Sequence, residues 1–261
     1  MREFSAEYLQ TTREGMWEGS REVLSPLGLD TCERVLDVGA GTGALTRVLR
    51  EETPGKVVAL DADGGLLANI SGSRVQGDAT RLPFADDSFD VVVCQALLVN
   101  LPDPKATVRE FARVSRGRVA AIEPDNSAVR IDSTVEAEAP LARRARKLYL
   151  QGVETDASLG AARAVFSDAG LDDISVGRYD HERTIEPPYD EYALRAAQRK
   201  ASGEGLTEDR ETVLAGETTA EEFDALRQEW REMGRTVVEQ MQASAYRQRE
   251  VVPFFVTVGR V

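Results

Sequence analysis

Residues 35–43 read VLDVGAGTG: an apolar run holding one acid, then glycine at every second position. No other stretch constrains the fold as tightly. The segment RVLDV (34–38) is apolar on both alternating faces, which suits a strand covered on both sides and therefore a parallel sheet. Glycines directly after such a strand let a ligand come close to the main chain and face the N-terminus of the next helix.

The following residues continue the pattern. KVVAL (56–60), RVQ (74–76), FDVVVC (89–94) and RVAAI (118–122) predict four further strands. Helical stretches separate them: GALTRVLREE (43–52), a helix near 63–70, and PKATVREFARVS (104–115). Strand and helix alternating in this way build right-handed βαβ units. The second half changes character. Residues 133–150 and 157–169 predict helices, the latter closed by Gly170 as a C-cap. DISVGRYDHERT (173–184) predicts a sixth strand and VPFFVTVGRV (252–261) a terminal one. Between them about 65 residues are polar and helical. There Phe223, Leu226, Trp230, Met233, Val237 and Met241 recur every three or four positions, one apolar face of a long helix. Thr218 or Thr219 is its expected N-cap, with Glu221 and Glu222 in the first turn.

Composition narrows the function classes. The chain has 261 residues, 42% of them hydrophobic, enough for a sizeable core. No apolar run approaches the ~20 residues of a membrane span. The N-terminal MREFSAEYLQ lacks the apolar centre of a secretory signal, so a cytoplasmic location is expected. Cys32 and Cys94 have neither metal-ligand spacing nor the density of a disulfide scaffold, and no metal site is expected. A net charge of −13 repels phosphate backbones and argues against a nucleic-acid partner. Only four of the 32 basic residues are lysines (56, 105, 147 and 200). An acid-rich, lysine-poor chain suits a halophilic source, and arginine codons in a GC-rich genome explain the same deficit.

Two cofactor classes use such a glycine turn. Gly39-x-Gly41-x-x-Ala44 meets the dinucleotide pattern G-x-G-x-x-G/A, and Asp61 lies where a ribose-binding acid belongs. An NAD(P)-dependent oxidoreductase is thus one alternative. Three features point elsewhere. Asp37 stands where that pattern is apolar, and a buried acid there calls for a cationic or donor partner. Gly43 adds a third close approach. VQGDATRLPFADDSFDVVVC (75–94) links two strands through Gly-Asp-Ala and a Leu-Pro-Phe turn.

With these motifs the chain resembles the class I S-adenosylmethionine-dependent methyltransferases, in the type 11 group that includes ubiquinone/menaquinone-biosynthesis enzymes. The likeness runs from Val35 to Pro124 and resumes at FSDAGLDDISV (166–176). Its carriers, in order, are VLDVGAGTG, VVALDAD (57–63), GDATRLPFADDSFDVVV and REFARVSRGRVAAIEP. The resemblance implies a Rossmann-like α/β fold: a seven-stranded, mostly parallel sheet with an antiparallel last strand. Residues 1–185 and 249–261 would form the core, with a helical cap over 1–31, and residues 186–248 a helical lid insertion. It implies S-adenosylmethionine as cofactor and in-line methyl transfer to a small-molecule acceptor; the chain's acidity and the stripe of Trp230, Met233 and Met241 favour a small, partly apolar one. A non-catalytic S-adenosylmethionine-binding protein is a second alternative.

Residue by residue, Gly39, Ala40, Gly41 and Gly43 would form the turn against the methionine part, supported by Asp37. Asp61 would accept from the ribose hydroxyls, with Ala62 near the adenine. Asp78 would accept from the adenine amino group, with the Ala79 amide at the ring. Gln95 would place backbone groups near the methionine ammonium. In the cap, Tyr8, Arg13 and Trp17 precede the first strand, and Arg13 would pair with the cofactor carboxylate. Two departures concern the acceptor side. ALLVNLPDP stands where the family often has a histidine-rich segment, and Arg116-Gly117-Arg118 replaces Pro-Gly-Gly. His181 is the only histidine and thus the one side chain whose ordinary pKa suits base catalysis near neutrality. Glu123, after the fifth strand, is the other candidate catalytic group. Oligomeric state is not readable.

Overall fold

The structure, a computed structural model, describes residues 6–13 and 15–261; the side chains of Glu7, Tyr8, Gln10 and Thr11 lie outside the description, as does the start of the expected cap. In chain order the elements are α1 (Ala6–Arg13), β1 (Arg34–Val38), α2 (Ala44–Glu52), β2 (Lys56–Asp61), α3 (Gly64–Leu67), β3 (Arg74–Gln76), β4 (Phe89–Gln95), α4 (Pro104–Val114) and β5 (Ser115–Pro124). There follow β6 (Arg130–Ser133), α5 (Glu138–Gly152), α6 (Arg163–Ala169), β7 (Asp172–Ile185), α7 (Glu191–Ser202), α8 (Glu204–Glu208), α9 (Arg210–Ala215), α10 (Ala220–Gln242) and β8 (Gln248–Arg260). Two compact units result.

The first unit comprises Met1–Asp125, Leu159–Tyr179 and Phe254–Val261. Its strands run in the order β3-β2-β1-β4-β5-β8. The first five are parallel, with Val35 opposite Val57 and Val91. The last is antiparallel, pairing Ile122 with Val256 and Pro124 with Phe254. The apolar runs are buried as their composition requires: Leu36, Val38, Val92, Cys94, Phe111 and Phe166 are fully enclosed in one core. Parallel strands open all their C-terminal ends at one edge, and the glycine turn after β1 and the segments after β2 and β4 meet there.

The second unit comprises Asn126–Ser158 and Asp180–Pro253, and β7 and β8 each give residues to both units. It takes in more than the insertion expected over 186–248. Here α5, α7, α9 and α10 pack around a core of their own, with β6 paired antiparallel to residues 248–251 of β8. The predicted stripe is that core: Phe223, Leu226, Met233, Val237 and Met241 are buried, and Trp230 packs against them. It is internal packing of this unit. Thr219 is the N-cap, in a reciprocal capping box with Glu222. Gly234 explains how α10 lies so close to α7: a Cβ there would stand 2.3 Å from the Lys200 carbonyl carbon.

The sequence missed β6, four residues with no clear alternation, so the seven expected strands become eight among the described residues. Residues 157–162 are not helical, and α6 covers only the last half of the helix expected there. Among the described residues no helix is long and apolar enough to cross a membrane.

Candidate functional site

The site is built where β1 ends. Gly39, Gly41 and Gly43 all adopt positive φ (71°, 55° and 84°), a region that penalises any side chain. The Gly39 and Ala40 amides donate to the Leu60 carbonyl at 2.8 and 3.0 Å, which locks the turn onto the neighbouring strand. The three glycines have different neighbours. A Cβ on Gly41 would meet Leu9 of α1 at 3.0 Å, and one on Gly39 would meet Leu97 at 3.0 Å. One on Gly43 would strike Ile70 at 2.8 Å, inside the small core of Ala40, Ala59, Leu67 and Ile70. Gly43 is therefore required by packing and as the N-cap of α2. Gly39 and Gly41 contribute no side chain of their own, and Leu97 and Leu9 lie against their backbone.

Asp61, at the end of β2, accepts the Gly41 amide at 2.8 Å on Oδ2 and the Asp63 amide at 2.9 Å on Oδ1. The acid expected to hold a ribose is thus already tied to the glycine turn. Each oxygen keeps a second lone pair for a further donor. Asp37 is 1% exposed, and its Oδ2 accepts the Thr46 hydroxyl at 2.5 Å. Its Oδ1 is buried with no hydrogen-bond partner among the described residues. Burial pushes its pKa up to about 7 against the pull of the Thr46 hydroxyl, and the Asp61 charge adds to the rise. A buried acceptor left empty in this way is what a ligand donor would satisfy.

Asp78 is exposed and its Oδ1 accepts both the Thr80 amide and hydroxyl at 2.8 Å, which hold its pKa below the usual carboxylate range. Ala79 packs on the sheet core, and the Ala62 carbonyl accepts from Gln76 at 2.9 Å. Gln95 is 8% exposed, and its side chain reaches the Met16 sulfur in the segment before β1. Arg13 lies with its guanidinium 6.0 Å above the Phe254 ring. Met16, Trp17 and Arg13 also wall a cleft of about 1040 Å³ shared with Thr42 and Ala44, on either side of Gly43. The N-terminal segment therefore meets the turn through both Leu9 and this cleft. Tyr8, expected beside it, has its side chain outside the described residues.

Glu123 is fully buried. Its Oε1 accepts the Leu97 and Leu98 amides at 3.1 and 3.0 Å, and its Oε2 the Val99 amide at 3.2 Å. It clamps the single turn Leu98–Asn100 after β4, a supporting role that the sequence reading did not foresee. Burial pushes it up to about 7, with those amides pulling down. His181 is 6% exposed on the part of β7 that belongs to the second unit. Its flanking acids face arginines: Asp180 meets Arg130 at 3.0 Å, and Glu182 meets Arg249.

Sequence reasoning missed Thr46, Leu9, Leu97 and Met16. Only Thr46 left a trace: it lies in the first turn of a helix starting beside Asp37, and a hydroxyl there offers a buried acid its donor.

Comparison with known proteins agrees with this geometry. Residues 36–122 match the family model of a methyltransferase domain, the segment that carries the turn, Asp61, Asp78 and Gln95. Demethylmenaquinone methyltransferase of Mycolicibacterium paratuberculosis is 44% identical over 104 residues, 38% of this chain and 45% of the relative. The Beutenbergia cavernae protein of the same description is 41% identical over 110 residues, 40% and 45% of the two chains. The chain thus matches less than half the length of these curated relatives. A crystal structure from Bacillus halodurans, of a protein described as a candidate methyltransferase, is 17% identical. It covers 92% of this chain and 96% of its own, with a TM-score of 0.50, a likeness of fold.

Proposed function

We propose that this chain, whose residues 36–122 resemble a class I methyltransferase domain, transfers the methyl group of S-adenosylmethionine to a small, partly apolar acceptor. The observation that carries the proposal is the link between the turn and Asp61: one carboxylate holds the Gly41 amide and keeps lone pairs for a diol. The buried, unpartnered Oδ1 of Asp37 adds a second acceptor for a ligand donor beneath the same turn. Asp61 would hold the ribose hydroxyls, Gly39 and Gly41 would let the methionine part lie on bare backbone, and Asp78 would take the adenine amino group. The turn precedes α2, whose N-terminus favours the cofactor carboxylate.

S-adenosylmethionine, when bound, supplies an electrophilic methyl that needs no further activation. The protein's own work is then alignment and exclusion of water. Apolar Leu9 and Leu97 beside the turn suit that exclusion. The curated relatives named above are demethylmenaquinone methyltransferases, which supports an acceptor with apolar character. His181 is the candidate for proton removal, a step required only when the acceptor arrives protonated.

Calorimetry with S-adenosylhomocysteine and Asp61→Ala tests the proposal. The loss expected is about 1–3 kcal/mol of binding energy, the scale of hydrogen bonds to a charged acceptor. Unchanged affinity, or wild-type protein that takes up NAD in place of S-adenosylhomocysteine, would remove it.

A further inference from the structure

In the first unit an aromatic contact has a polar content that packing alone does not explain. Trp17 and Tyr179 meet with ring centroids 5.7 Å apart and planes tilted by 39°. Tyr179 stacks on Phe254 at 5.5 Å and 16°. Trp17 is 7% and Tyr179 9% exposed. Yet Trp17 Nε1 and the Tyr179 hydroxyl are both buried without a hydrogen-bond partner among the described residues. Leaving such a group unmet is costly. Two in one contact mark a place where something external supplies the partners.

We propose that Trp17 and Tyr179 recognise the acceptor, and that the acceptor is a planar ring carrying a hydrogen-bond-accepting oxygen. This deepens the methyl-transfer reading and rests on it.

Three features set the chemistry. First, the indole N–H only donates. Burial pushes the Tyr179 phenol far above its ordinary value, so it too stays a donor at any physiological pH. Two donors can meet lone pairs on one ligand atom: a carbonyl, phenol or enolate oxygen fits. Second, the surrounding faces are aromatic, and rings stack on rings with offset or tilted geometry. Third, the Arg13 guanidinium sits over Phe254 and exerts a positive field at Tyr179. That field favours an oxygen carrying negative charge, the form in which an oxygen or its ring carbon is nucleophilic. The location suits acceptor recognition, because the cleft that Trp17 and Arg13 wall is also walled by Thr42 and Ala44 beside Gly43.

The test uses the full chain with saturating S-adenosylhomocysteine and two probes, 2-naphthol and naphthalene, which differ by one oxygen. Binding is read by calorimetry, with S-adenosylhomocysteine affinity and thermal midpoint recorded for each variant. Wild-type protein is expected to bind 2-naphthol at least tenfold tighter than naphthalene. Tyr179→Phe and Trp17→Phe, which delete one donor each, are expected to erase most of that preference with naphthalene affinity retained. Equal affinity of wild-type protein for the two probes overturns the inference even where the variants misfold. So does a preference that survives in both folded variants, or a crystal structure with an ordered water on the two donors and 2-naphthol bound elsewhere. Failure of S-adenosylhomocysteine to bind at all would instead strike the methyl-transfer reading. Binding of S-adenosylhomocysteine with no oxygen preference strikes this inference alone.

Discussion

The two units bury carboxylates in opposite ways. In the first, Asp37 and Glu123 are enclosed with neutral donors only: a threonine hydroxyl for one, three backbone amides and the Cys94 thiol for the other. Both are pushed up to about 7. In the second, Glu138 is equally enclosed but accepts from the Lys200 ammonium, the Tyr246 hydroxyl, Ser133 and Gln248. Burying a charge costs several kcal/mol, and that cost is offset only where counter-charge and donors are complete. The second unit completes the set within itself, so its acid serves as a staple among β6, α5, α7 and β8. The first unit leaves Asp37 incomplete beside the turn that a ligand is proposed to occupy. Glycine divides the same way: Gly39 and Gly41 leave a turn bare, whereas Gly234 lets two helices touch.

That contrast is open to breaking. The largest effect is expected at Gly234→Ala, because the new methyl would meet the backbone of Lys200 and Ala201, at 2.3 and 2.4 Å. Helix backbones do not yield as side chains do, so a loss of about 3 kcal/mol or more is expected in urea unfolding. Next comes Lys200→Met, which strands the Glu138 charge among its remaining donors. A loss of about 3 kcal/mol is expected, with partial recovery in the Glu138→Gln, Lys200→Met double variant. No recovery would mean that the ion pair is incidental and the contrast false.

For the first unit, the raised pKa of Asp37 gives a signed pH effect. Between its ordinary value near 3.8 and about 7, the folded chain holds a proton that the unfolded chain has released. Stability from this group is complete below the ordinary value and falls as pH rises through about 7. Asp37→Asn should flatten that fall by about 3 kcal/mol, measured as the difference in unfolding free energy between pH 4 and pH 8. The slope from Glu123 has the same sign and remains in the variant. An unaltered slope would show that Asp37 ionises normally. The smallest effect is expected at Thr219→Ala, about 1 kcal/mol, from opening the capping box of α10. Its consequence should stay in the second unit, leaving S-adenosylhomocysteine affinity as it was.

Much of this was legible in the sequence because local rules govern it. Apolar runs such as FDVVVC admit only a doubly covered strand, and the glycines at 39, 41 and 43 do adopt the conformations that only glycine tolerates freely. The spacing of Phe223, Leu226, Met233, Val237 and Met241 defined one buried helix face, and Thr219 its start. β6 was not legible, since four residues with a polar majority form a strand only because residues 248–251 offer a free edge. The role of Glu123 was hidden for a similar reason. An acid after a strand looks equally fit for catalysis or for support, and only the positions of three amides from residues 97–99 decide.

By itself, then, the sequence determined the alternation of strands and helices, the bare turn after β1 and the acids at the ends of β1 and β2. These follow from periodicity, backbone sterics and residue chemistry over a few neighbours. Tertiary structure alone decided which acid keeps a buried oxygen without a partner among the described residues and which is enclosed by backbone amides, and it placed Trp17, Tyr179 and Phe254, more than 230 positions apart at the extremes, in one contact. The reason is physical: hydrogen-bond satisfaction depends on where distant donors come to rest, and no local pattern encodes that.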